Sequence, residues 1–223
     1  MIKGLKKALL IGGIMLAEGI YTEGNFNRNN NENEISENIK RNYEANESSK
    51  LEKKISKGFY LTPDSLNKCI KQAYAEVQRW PKEFDKRLYR LLLRQESRYN
   101  VYARNKWSGA SGIGQIMPDT YKGYRDSTNL ETEIFNPINN LGVSLEVLSD
   151  ISIFCKKYHP NWNNLNLEDK RRVILTCYNA GPGKVRDKAK WNLQSKKLNK
   201  EQRDYADIIM GTYHNPEIKV ELN

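Results

Sequence analysis

One carboxylate in this chain sits where it could do proton chemistry. Glu96 follows an apolar run, Leu91-Leu92-Leu93, and precedes a loop of small and polar residues that ends in Gly112-Ile113-Gly114-Gln115-Ile116-Met117-Pro118. An apolar wall pushes a carboxyl toward its neutral form, because burial penalises the charged form. Such a group can give up a proton near neutral pH and take one back, the two halves of general acid–base work. Met117 and the leucines would form the wall. The glycines let backbone approach a ligand closely, so Gln115 and Met117 beside the acid could grip a polar, ring-shaped substrate. A lone Glu is more often a solvated helix end, so the rest of the chain has to supply the site.

The elements that would position this loop read as helices. Thr62-Pro63-Asp64 marks a helix start, with Leu66, Ile70 and Tyr74 on the inward face of a segment reaching Arg79, where Trp80-Pro81 breaks it. Phe84, Leu88, Leu91 and Leu92 recur at helical spacing and predict a second helix to about Glu96. Asn136-Pro137 opens a third, carrying Leu141, Leu145, Leu148, Ile151 and Phe154 and closed by His159-Pro160. Glu168 to Tyr178 reads as a fourth, stopped by Gly181-Pro182-Gly183. A last helix covers roughly Lys200 to Tyr213. No alternating strand pattern occurs in 51–223, so the fold expected is mainly α with a loop-rich middle.

Three zones divide the chain. Residues 1–19 hold Lys3, Lys6 and Lys7 ahead of an apolar run from Ala8 to Ala17. This reads as a signal peptide, or as an uncleaved N-terminal anchor, that engages the membrane at least during export. Residues 20–50 are dominated by Asn and Glu, too poor in apolar surface to order themselves, and read as a disordered spacer. Residues 51–223 would be the folded domain. The expected location is therefore exported, periplasmic or attached to the cell envelope.

Net charge is +10, and residues 51–223 account for all of it, since 1–19 contribute +2 and 20–50 contribute −2. A basic domain favours anionic partners: nucleic acid, an anionic membrane or a carboxylate-bearing wall polymer. Nucleic acid is not expected, because no recognition motif accompanies the charge. Cys69, Cys155 and Cys177 have no paired or metal-like spacing and read as small buried apolar residues. His159 and His214 stand far apart, so no metal and no cofactor is expected.

Taken in order, Glu96-Ser97, Gly112-x-x-Gln115-x-Met117-Pro118 and Tyr178-Asn179-Ala180-Gly181-Pro182-Gly183, with Glu201-Gln202-x-x-Tyr205 as a fourth stretch, resemble lytic transglycosylases of the soluble (SLT) type. The resemblance covers about residues 60–215. It implies a lysozyme-like, mainly α-helical domain with a loop-rich active-site cleft, cutting the β-1,4 bond between N-acetylmuramic acid and N-acetylglucosamine in peptidoglycan and leaving a 1,6-anhydromuramoyl end. By the same resemblance Glu96 is the catalytic acid/base, and Ser97, Gln115, Met117, Tyr178, Asn179 and Tyr205 line the substrate cleft. The partners implied are peptidoglycan glycan strands and, beyond them, a secretion or wall-remodelling machine of the cell envelope.

Departures from the family pattern bear on the cleft. Gly114 stands where G-L-M-Q carries a side chain, which would remove part of the cleft wall. Cys177 replaces Ala of A-Y-N. In the helix that reads N-I-x-x-G-x-x-Y-L, Ser144 replaces Gly and Val147 replaces Tyr.

One carboxylate suffices if the substrate's 2-acetamido group stabilises the developing positive charge, so Asp119, Asp126, Glu131 and Glu133 read as a solvated loop face. Either Tyr178 or Tyr205 could hydrogen-bond Glu96 or the acetamido group. Trp107, Trp162 and Trp191 could stack on sugars, though no motif places them there. The alternatives are a hydrolase on the same fold, with water as nucleophile, and an inactive wall-binding or secretion-system scaffold.

Overall fold

Asn, Asp and Thr set most of the helix starts. In the computed structural model, which describes residues 49–127 and 129–215, helix α1 spans residues 49–57, followed by α2 (Pro63–Val77), α3 (Lys86–Ser97), α4 (Pro118–Tyr124), α5 (Leu130–Glu133), α6 (Pro137–Tyr158), α7 (Leu167–Ala180) and α8 (Lys200–His214). Thr62, Asp85, Asn136, Asn166 and Asn199 each accept a backbone N–H of the turn they precede. Each satisfies a donor that the helix itself leaves orphaned. At Asn199 the bond is reciprocal, Gln202 reaching back to the cap.

The core gathers around α6. Its Leu141, Leu145, Leu148 and Ile151 belong to one buried cluster with Leu66, Ile70 and Ala73 of α2, Leu88, Tyr89, Leu92 and Leu93 of α3, Ile174 and Leu175 of α7, and Ile209 and Met210 of α8. Its 22 residues are apolar enough to cross a bilayer, but half of the relevant window is buried among its neighbours, as suits a core helix. A smaller cluster joins Leu51 of α1, Tyr121 of α4 and Val143 of α6 to Ile116, Ile134 and Phe135 beneath the glycine loop. Among the described residues there is no strand, only three isolated bridges that pin loops: Tyr60 to Asn100, Arg104 to Ser111 and Ser111 to Ile116.

The five helices anticipated from periodicity are present, with ends shifted by a few residues. Residues 49 and 50, assigned from the sequence to the spacer, are helical. The middle is less irregular than expected, because it contains the short helices α4 and α5, and a π-helical turn at Lys184–Lys188 follows the Gly181-Pro182-Gly183 stop. The leader 1–19 and nearly all of the spacer lie outside the described residues. Cys155 and Cys177 are buried with their sulfurs 3.8 Å apart between α6 and α7, whereas Cys69 is only half-buried, unlike the fully buried position expected of it.

Candidate active site

Helix α3 delivers Glu96 one residue before it ends. The chain then reverses through Arg98 (φ 54°) and Tyr99 (φ 67°), two successive non-glycine residues in the left-handed region, with the Arg98 N–H bonded back to Arg94. The carboxyl of Glu96 meets the Tyr205 hydroxyl of α8, which donates to its Oε1. Burial raises the Glu96 pKa from its ordinary 4.5 to about 7; the Tyr205 bond pulls it down, and the negative charge of Glu201 pushes it up again. Desolvation therefore wins over the hydrogen bond, and the group is poised between its acid and base forms near neutrality. Of the two tyrosines considered from the sequence, Tyr205 is the one bonded to Glu96.

Tyr178 does a different job. Its hydroxyl donates to the Gly114 carbonyl at 2.8 Å, so in the 3.1 Å contact with the Ser144 hydroxyl it can only accept. Its phenol is held far above the ordinary range by burial first and by the nearby charge of Glu96 second. The ring also lines a groove of about 540 Å³ together with Met117, Thr120, Val147 and Asn179. That volume is typical of small-molecule sites. Met117, which lines the groove, is 42% exposed, as a side chain available to a ligand is. Val147, where the family pattern has Tyr, leaves this wall lower.

The glycine loop is held rigidly from below. Asn140 of α6 is fully buried, and all its polar atoms are used: Oδ1 accepts from Gly114 N at 2.8 Å, while Nδ2 donates to the carbonyls of Ser111 (3.0 Å) and Ile134 (2.8 Å). Gly112 must be glycine for two reasons. Its φ is +78°, and a Cβ would lie 2.3 Å from Asn140 Nδ2. Ser97 ties the loop to α3 by donating to the Ile113 carbonyl at 2.7 Å. Gln115, itself left-handed at φ 50°, donates its amide to the carbonyls of Gly112 (2.9 Å) and Ala103 (3.2 Å). Both side chains thus direct their donors into the loop, and neither lines the groove beside Tyr178.

The expectation that Gly114 opens the cleft wall is corrected by the direction its Cβ would take. That atom would lie 3.1 Å from Ser144 Cβ and 3.2 Å from Asn140 Oδ1, so a side chain at 114 would start against α6 and not in the cleft. Gly114 and Ser144 exchange bulk within the core.

From the sequence Glu201 stood in the fourth stretch of the resemblance but was given no role in the site. It stands four residues before Tyr205, one helical turn away on α8, and its charge reaches Glu96; that spacing is the signal that could have found it. The acids Asp119, Asp126, Glu131 and Glu133 do not figure among the groups that shift Glu96. Of the tryptophans, Trp162 is core, Trp191 packs on His159 and Phe154, and Trp107 is 98% exposed on the loop between Glu96 and the glycines. Among the described residues no group of His, Cys, Asp and Glu is placed to hold a metal ion.

Residues 73–202, more than half of the chain, match the family described as Transglycosylase SLT domain. The chain belongs to the SLT transglycosylase family. The family carries with it a lysozyme-like fold and an activity of the glycosidic-bond-cleaving kind. The match of this SLT domain takes in α3 with Glu96, the glycine loop and Tyr178, and ends at Gln202, three residues short of Tyr205. No curated protein matches the chain.

Proposed function

We propose that this SLT domain is a peptidoglycan lytic transglycosylase that cleaves the β-1,4 bond between N-acetylmuramic acid and N-acetylglucosamine. The observation that carries this reading is the carboxyl of Glu96, buried, raised to about 7 and bonded by Tyr205, near Tyr178, which feels its charge and lines a groove of sugar size.

Protonated Glu96 gives its proton to the glycosidic oxygen as the bond from that oxygen to the muramoyl C1 breaks, and the N-acetylglucosamine end leaves as an alcohol. The substrate's 2-acetamido oxygen stabilises the positive charge left at C1. The Glu96 carboxylate, held by Tyr205, then takes the proton of the muramoyl 6-hydroxyl as that oxygen bonds to C1. This closes the 1,6-anhydro ring and returns Glu96 to its starting form. Asn179 and Met117 line the groove, and on this reading they meet the sugar.

Glu201 favours a second reading, a hydrolase in which water is the nucleophile, because two carboxylates are what most glycosidases use. Mass spectrometry of purified peptidoglycan digested by the wild type, by Glu96→Gln and by Glu201→Gln separates the two. Anhydro ends from the wild type and from Glu201→Gln, with none from Glu96→Gln, support the transglycosylase. Reducing ends that disappear with either substitution support the hydrolase. On either reading the enzyme works at the cell envelope, reached through the apolar N-terminal segment, in wall remodelling or in service of a secretion machine.

A further inference from the structure

A second groove lies between α3 and α8, of about 490 Å³, lined by Leu91, Arg94, Arg98, Tyr99, Ile209 and Thr212 among others. It is not part of the Glu96 cleft. Arg94 lies on the last turn of α3 and Arg98 caps its end, whereas Glu96 is two residues, about 200°, round the helix from Arg94. Arg94 and Arg98 are exposed, and neither takes part in an ion pair among the described residues. No carboxylate lines the groove.

Two like charges one helical turn apart repel each other. Here nothing among the groove's own residues offsets that repulsion. Tyr99, which lines the groove, also feels the charge of Arg94. The floor is apolar, from Leu91 and Ile209, and Ile208 at its rim is 51% exposed. The left-handed pair Arg98 and Tyr99 carries the chain out of α3 at this point, a conformation that non-glycine residues adopt only when the surroundings enforce it.

The forked cations of Arg94 and Arg98 beside an apolar floor fit a ligand that carries carboxylates on a partly apolar chain, because guanidinium binds carboxylate through two parallel hydrogen bonds. We propose that the α3–α8 groove is a second wall-binding site, which takes the free carboxylates of the short peptides borne by the glycan. This rests on the reading of peptidoglycan as substrate. Held at this face by the peptides of one strand, the enzyme presents its cleft to another, and the basic charge of the domain acquires a specific use.

Binding can be measured apart from cleavage in the full chain carrying Glu96→Gln, which leaves the wall intact. Co-sedimentation with purified sacculi, stripped of phosphodiester polymers, would compare this protein with one that also carries Arg94→Ala and Arg98→Ala. The arginine substitutions are expected to weaken binding about tenfold. A soluble muropeptide with free carboxyls should compete, and the same muropeptide with its carboxyls amidated should not. With Glu96 intact, the arginine variant should cleave peptide-free glycan oligomers as fast as the wild type. Equal binding by both proteins, equal competition by the amidated muropeptide, or an arginine effect seen only before stripping would overturn the proposal, the last by assigning the anion to phosphate. If the wild type fails to cleave glycan while the arginine effect on binding persists, it is the reading of the reaction that falls and not the groove.

Discussion

Replacing Glu96 by Gln should stabilise the folded protein, and by an amount that depends on pH. In the folded state the carboxyl titrates at about 7 instead of 4.5. The sign follows from which state holds the proton. Between pH 4.5 and about 7 the unfolded chain has released it and the folded chain has not, so stability falls as pH rises through that window and levels off above it. Below 4.5 both states are protonated and nothing is lost. The displacement corresponds to about 3 kcal/mol at full extent. Gln has no proton to lose, and its amide oxygen can still accept from Tyr205, so the variant escapes the penalty while keeping the contact. Urea denaturation of the wild type and Glu96→Gln at pH 4.5 and pH 8 measures it directly. The variant should match the wild type within about 1 kcal/mol at the lower pH and exceed it by about 3 kcal/mol at the higher. Other titrating groups are common to both proteins and cancel in the comparison. A difference that is the same at both values, or that favours the wild type at pH 8, would refute the placement of Glu96 in a desolvating site.

Activity should decline as pH rises through about 7, since the first step needs protonated Glu96. Tyr205→Phe removes the bond that holds that pKa down, so in the pH–rate profile the alkaline limb should move up by about one pH unit, with a lower maximum rate. Gly114→Ala should destabilise the domain by about 1–3 kcal/mol through its clash with Ser144, and adding Ser144→Gly should recover at least about half of the loss, as a double-mutant cycle in urea would show. Asn140→Ala strands a buried N–H and two buried carbonyls and should cost about 3 kcal/mol or more by the same measurement.

The helical frame was legible because each long helix buries a regular apolar stripe and has a recognisable end. Thr62, Asn136 and the Pro after each mark starts, and Pro160 and Gly181 mark stops. α4 and α5 were not legible, since seven and four residues are too few to show a period, and α4 carries Gly123 in its interior. Within the site, Glu96 and Tyr205 could be named from their motifs, but their bond spans 109 positions and only the packing of α3 on α8 creates it. The inward direction of the Gln115 donor goes with the left-handed backbone at that residue, which nothing in its type announces. Glu201 stood in a motif without a role, because an exposed acid on a helix has no apolar context to distinguish it. The exchange of bulk between Gly114 and Ser144 joins positions 30 apart and becomes visible only once α6 lies beneath the loop.

Asn140 has a consequence for how the domain moves. The Gly114 N–H is bonded to a buried side chain of the central helix and not to its own loop. Its amide hydrogen can therefore exchange with solvent only when the loop parts from α6. A loop rich in glycine would ordinarily be among the first segments to open; this one belongs to the same cooperative unit as the core. The substrate therefore meets a floor already in place, and little ordering of the protein is left for binding to bring about.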